Sequence, residues 1–98
     1  MSENIVHQII QKANKKRVSF EILNQPEQQA VNEAAEQIQQ QYGIEFLPED
    51  VIVCINRSKG NICCYETLIC ERAKMFRKYG GREGWLIFKS LMNDTDDE

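Results

Sequence analysis

The chain of 98 residues holds one histidine, one tryptophan and two prolines, and no apolar run approaches the roughly 20 residues needed to span a bilayer. Each shortage excludes something. A single histidine, His7, on a segment that reads as helix surface, cannot complete a nucleophilic triad, and no serine stands in a strand-to-helix elbow. The carboxylates fall on helix surfaces or loops, where nothing suggests the burial that sets an acid apart from a base. Among five glycines there is no phosphate loop, since Ser58-Lys59-Gly60-Asn61 is too short for one. These absences argue against an enzyme and against a bound cofactor. Residues 1–17 also lack the charge order and apolar centre of a secretion signal, so a cytoplasmic protein is expected.

The four cysteines, Cys54, Cys63, Cys64 and Cys70, form no C-x-x-C pair, and a structural zinc site needs paired ligands on short turns. No metal is expected, and the thiols read as small buried hydrophobes. A chain of this length makes one domain, here residues 1–92, that buries about 60 to 70% of its unfolded surface.

What the chain has in quantity is segregated charge. Residues 1–17 carry a net +3 through Lys12, Lys15, Lys16 and Arg17 against Glu3. Residues 18–56 hold no base and seven acids, and residues 57–92 return to +5. Asn93 to Glu98 adds four acids and no apolar residue, which reads as a disordered tail. Such blocks predict either a lopsided binding surface or faces that neutralise one another inside the fold.

Ile5, Val6, Ile9, Ile10 and Ala13 recur at helical spacing over residues 3–14, with Ser2 as a cap and Glu3 at the positive helix end. Residues 17–23 alternate Val18, Phe20 and Ile22 with Ser19 and Glu21, the pattern of a half-buried strand. Asn24, Pro26 and Glu27 open a helix whose stripe of Val31, Ala34, Ala35, Ile38 and Tyr42 stops at Gly43. The β-branched run 51–55 predicts a strand, and residues 56–61 a reversal into a second strand at 62–65. That pairing sets Ile55 against Ile62, Cys54 against Cys63 and Val53 against Cys64. A competing helix begins at Pro48, with Glu49 and Asp50 in its first turn. Residues 67–79 are helical by spacing, with Arg72 on the apolar stripe and Gly80-Gly81 as the stop. Residues 85–91 read as a last strand, although Trp85, Phe88, Leu91 and Met92 also fit a helix.

The resulting order is an α+β fold: an N-terminal helix followed by a ferredoxin-like β-α-β-β-α-β sandwich. The alternative is mostly α, with a helix-turn-helix-like C-terminal half whose core runs over residues 55–80. In that version Gly60-Asn61 followed by Leu68-Ile69 and Arg77-Lys78 resembles some bacterial DNA-binding ends. Cys63, Cys64 and Glu66 are unexpected there, and the spacing is compressed.

On the sandwich, Ile52, Cys54, Cys63 and Tyr65 form an apolar sheet face, with Trp85 or Phe88 nearby. The N-terminal helix, a second copy or another protein must cover it. The expected function is that of a small non-enzymatic regulator or inhibitor, of the phage or mobile-element kind. It binds a macromolecular partner, a protein, through a charge-polarised surface that includes Arg57, Lys59, Tyr65, Lys74, Arg77, Lys78, Arg82 and Trp85. The alternative is a nucleic-acid binder that uses the same basic C-terminal third, where cations beside aromatics hold a backbone while bases stack. A sheet-face RNA reader fits less well, because Asn61 to Glu66 lacks that signature's repeated aromatics.

Overall fold

Val51, Ile52, Val53, Cys54 and Ile55 are all buried, and they are helical. In the computed structural model, which describes residues 2–92, they form the middle of α3, Pro48–Ser58. Around it stand α1, Ser2–Ala13, α2, Gln25–Tyr42, and α4, Ile62–Lys78, while α5, Arg82–Leu91, packs chiefly on α4. A single 3-10 turn, Phe20–Ile22, sits between α1 and α2. The expected acidic tail at 93–98 and the side chains of Ser2 and Glu3 lie outside the described residues.

The ferredoxin-like sandwich is therefore overturned, since no strand exists among the described residues, and the mostly α alternative fits. The run 51–55 is helical because its start is strongly specified: Pro48 occupies the first turn and the Asp50 carboxylate accepts from the Leu47 N–H at 2.9 Å. Weak helix propensity of β-branched residues costs a few tenths of a kcal/mol each, whereas burying such a side chain returns about 1.5–3 kcal/mol. Burial wins. The polar positions of α3, among them Glu49, Asn56 and Arg57, lie towards its ends, so the buried run 51–55 between them shows no 3.6-residue period and imitates a buried strand.

The reversal at 56–61 is real but shorter, a three-residue turn of Lys59, Gly60 and Asn61 between helices. Lys59 and Gly60 both take positive φ, 51° and 87°, and Asn61 caps α4 by accepting from the Cys64 N–H at 2.9 Å. The expected second strand, 62–65, is thus the first turn of α4, and the cross-strand pairs of Ile55, Cys54 and Val53 do not form. Residues 85–91, the expected last strand, belong to α5, held by Tyr79, Trp85 and Phe88. The Tyr79 and Phe88 rings stack with centroids 4.3 Å apart.

Val18 is buried as expected, yet 17–23 is no strand, and Ile22 stands 63% exposed. Its backbone finds a side chain in place of a strand neighbour. Two helices agree with their expected caps: α2 has the Asn24–Glu27 capping box and ends at left-handed Gly43, and the 67–79 helix ends before Gly80-Gly81. Of the cysteines, only Cys54 is buried. Cys63 and Cys64 are exposed and Cys70 is intermediate, which corrects the expectation of buried thiols.

Candidate functional site

Asn56, in the last turn of α3, holds residue 18 as a neighbouring strand would. Its Nδ2 donates to the Val18 carbonyl at 2.9 Å, and its Oδ1 accepts from the Val18 N–H at 2.8 Å. This pair draws the link after α1 across the end of α3. The α3–α4 turn closes the same corner: a Cβ at Gly60 would lie 2.5 Å from the Asn14 Cβ, so only glycine lets the turn sit on the end of α1.

Between these segments runs a groove of about 600 Å³ lined by Asn14, Lys15, Lys16, Arg17, Asn56, Arg57 and Lys59, with Ala13 at its edge. No acidic side chain among the described residues lines it. Its five cations are exposed and come from two chain segments some 40 residues apart in sequence. Helix ends contribute as well, since the C-termini of α1 and α3 favour nearby positive charge.

The residues expected to bind a partner divide. Arg57 and Lys59 enter the groove, while Lys74, Arg77 and Lys78 are exposed at the far end of α4. Tyr65 is buried in the core beside α3, where burial above all pushes its phenol well up. Trp85 is half-buried against Tyr79, with ring centroids 5.5 Å apart, and the Lys89 ammonium lies over its ring. Arg82 is internal too. The apolar sheet face is gone as a surface, since Ile52, Cys54 and Tyr65 are core residues.

Arg82 serves a buried ion cluster centred on Asp50, which is fully enclosed. Asp50 Oδ1 accepts from Arg72 Nε at 3.1 Å and Nη2 at 2.9 Å, and Oδ2 accepts from Arg82 Nε at 2.6 Å. Arg82 Nη2 also donates to Glu49 at 2.7 Å. Burial alone would lower the Arg82 pKa, but the hydrogen bond and charge of Asp50 outweigh it and raise it. A second pair, Lys12 with the buried Glu27, ties α1 to α2 and, chiefly through that hydrogen bond, lowers the Glu27 carboxyl. Part of the segregated charge is thus paired within the fold, and among the described residues the groove and the end of α4 are exposed basic surfaces.

A second cleft of about 320 Å³ opens between α1, α2 and α4 over Val6, Ile38 and Ile69, rimmed by His7, Gln41 and Glu66. Its mixed rim offers no convergent charge. No group of three or more His, Cys, Asp or Glu among the described residues could hold a metal ion, and no helix among them is long and apolar enough to cross a membrane.

Comparison with protein-family models, with curated proteins and with solved structures yields no match.

The groove residues that sequence reasoning missed are Lys15, Lys16 and Arg17. Their charge was visible as a block. What joins them to Arg57 and Lys59 is the Asn56–Val18 pair, and a side chain bonding to backbone 38 residues away leaves no periodic trace.

Proposed function

We propose that the protein binds nucleic acid through its phosphates, using Lys15, Lys16, Arg17, Arg57 and Lys59. The observation that carries this reading is the convergence of five cations on one groove that no acid among the described residues lines. Each cation that neutralises a phosphate releases condensed counterions, which supplies affinity without base contacts. Exposed acids such as Glu36, Glu45 and Glu49 lie on segments outside the groove; they repel phosphate, so an overall charge of −3 still allows an oriented mode of approach. No catalytic step is assigned. A cytoplasmic location, where nucleic acid is met and exposed thiols such as Cys63 and Cys64 stay reduced, accompanies this reading.

The test is fluorescence anisotropy with a labelled mixed-sequence duplex at 50 and 200 mM salt. Phosphates neutralised by the three lysines alone imply a log–log slope at least as steep as about −2.7, a loss of affinity of roughly 40-fold or more over that interval. Absence of binding at the lower salt, or binding indifferent to salt, refutes the reading.

A second reading, a small inhibitor that acts by binding another protein or a second copy of itself, is favoured by α5. Its Ile87, Leu91 and Met92 are 61, 80 and 63% exposed, an apolar stripe of the kind that marks contact surfaces. Light scattering after size exclusion distinguishes the two: a concentration-dependent mass that Ile87→Glu abolishes supports association through α5, and a monomer at all concentrations removes the second copy.

A further inference from the structure

The two exposed basic clusters bracket a single helix. Lys59 sits in the groove, in the turn that leads into α4, Lys74, Arg77 and Lys78 lie on its last turns, and the exposed side chains of the helix between them are Cys63, Cys64, Glu66, Thr67 and Glu71. Cys63, Thr67, Glu71, Lys74 and Lys78 succeed one another at intervals of three or four residues, so they form one stripe on the helix, and all five are exposed. At 1.5 Å per residue, α4 rises about 18 Å from its first residue, Ile62, to Lys74, and Lys59 lies in the turn just before that start. B-form DNA has a major groove about 12 Å wide between phosphate-bearing strands. A helix laid there with cations at both ends reaches both backbones at once. The intervening Cys63 and Thr67 are short enough to let the helix approach base edges, and Glu71 can accept from a cytosine amine.

We infer that α4 is the element that enters the major groove of duplex DNA, with the groove around Lys59 on the phosphates of one strand and Lys74 and Lys78 on those of the other. This rests on the reading of the five-cation groove as a phosphate site and adds to it the form of nucleic acid and the face that meets the bases. Double-stranded RNA is disfavoured, because its major groove is too deep and narrow for side chains to read. A single strand offers only one backbone, so it has no use for the far cluster.

The experiment uses the full chain and three probes of matched sequence: a 25-base-pair DNA duplex, one of its strands, and the RNA duplex. The double variant Lys74→Glu/Lys78→Glu should reduce the salt slope on DNA duplex by about 2, with affinity falling accordingly, and leave single-strand binding nearly unchanged. The companion variant Lys15→Glu/Lys16→Glu should weaken every probe. Circular dichroism establishes that each variant keeps its helices. Saturating DNA duplex should also slow alkylation of Cys63 and Cys64 by N-ethylmaleimide toward the rate of buried Cys54. Full reactivity of both thiols in the duplex complex, or equal losses on duplex and single strand for the Lys74/Lys78 variant, overturns the placement of α4 while leaving the groove reading intact. Loss in the Lys74/Lys78 variant with none in the Lys15/Lys16 variant overturns the groove reading itself.

Discussion

Replacing Asp50 by alanine removes the centre of the buried ion cluster. The carboxylate is fully enclosed and accepts four hydrogen bonds: from the Leu47 amide, two from Arg72 and one from Arg82. Without it, Arg72, whose side chain is only 8% exposed, keeps its charge in a site that no longer holds its carboxylate. Breaking a buried pair by removing one member costs about 3–5 kcal/mol, because the remaining charge is uncompensated. Loss of the bond to the Leu47 N–H adds the penalty of an opened helix start, about 1 kcal/mol. A domain of this size has about 5–15 kcal/mol in all, and 1 kcal/mol moves its midpoint by roughly 4–8 °C. Asp50→Ala should therefore lower the melting temperature by about 16–48 °C, read by circular dichroism during heating and checked by urea titration. Arg82→Ala should cost far less, about 1–2 kcal/mol, because Asp50 then keeps both Arg72 bonds. A loss below about 1 kcal/mol for Asp50→Ala, or equal losses for the two variants, refutes this account of what joins α3, α4 and α5.

Asn56→Ala removes both bonds to Val18, a loss of about 1–3 kcal/mol in urea unfolding, and slackens Lys15 to Arg17, so duplex affinity at low salt should fall as well. Gly60→Ala should destabilise by about 1–3 kcal/mol, since it combines positive φ with a clash against Asn14. Gly43→Ala meets nothing within 4 Å and should cost about 1 kcal/mol, so thermal melts that rank the two in reverse order would count against the seating of the turn on α1. The Lys12–Glu27 pair lowers the Glu27 carboxyl, so its contribution is fully present above the ordinary carboxylate range and is lost as pH falls through the depressed value. Unfolding titrations should show wild type losing its advantage over Glu27→Gln below about pH 4, and a constant difference from pH 7 to pH 2 would contradict the pair.

Local signals read correctly where a long apolar stripe has marked ends. Residues 25–42 show the stripe from Val31 to Tyr42, a capping box and a terminal glycine, and each does in the fold what its type suggests. Arg72, placed on an apolar stripe with its head expected to reach an acid or solvent, reaches Asp50. The same reasoning fails at 51–55 and 62–65. A four- or five-residue apolar run satisfies both periods, and in both segments the polar residues that would mark the turns of a helix lie outside the run. At 85–91 the helical spacing of Trp85 and Phe88 was visible, and contact with Tyr79 made it the operative one.

The chain by itself determined its length class, its charge blocks, the helix ends at Asn24, Gly43 and Gly80-Gly81, and the reversal near Gly60. Those depend on contacts within a few residues. Only the tertiary structure decided that the reversal joins helices, that Tyr65 and Arg82 are internal, and that Lys15 to Arg17 share a groove with Arg57 and Lys59. These outcomes depend on burial around α3 and on the Asn56–Val18 bonds, interactions between distant segments whose strength is set by what surrounds them once the chain has closed.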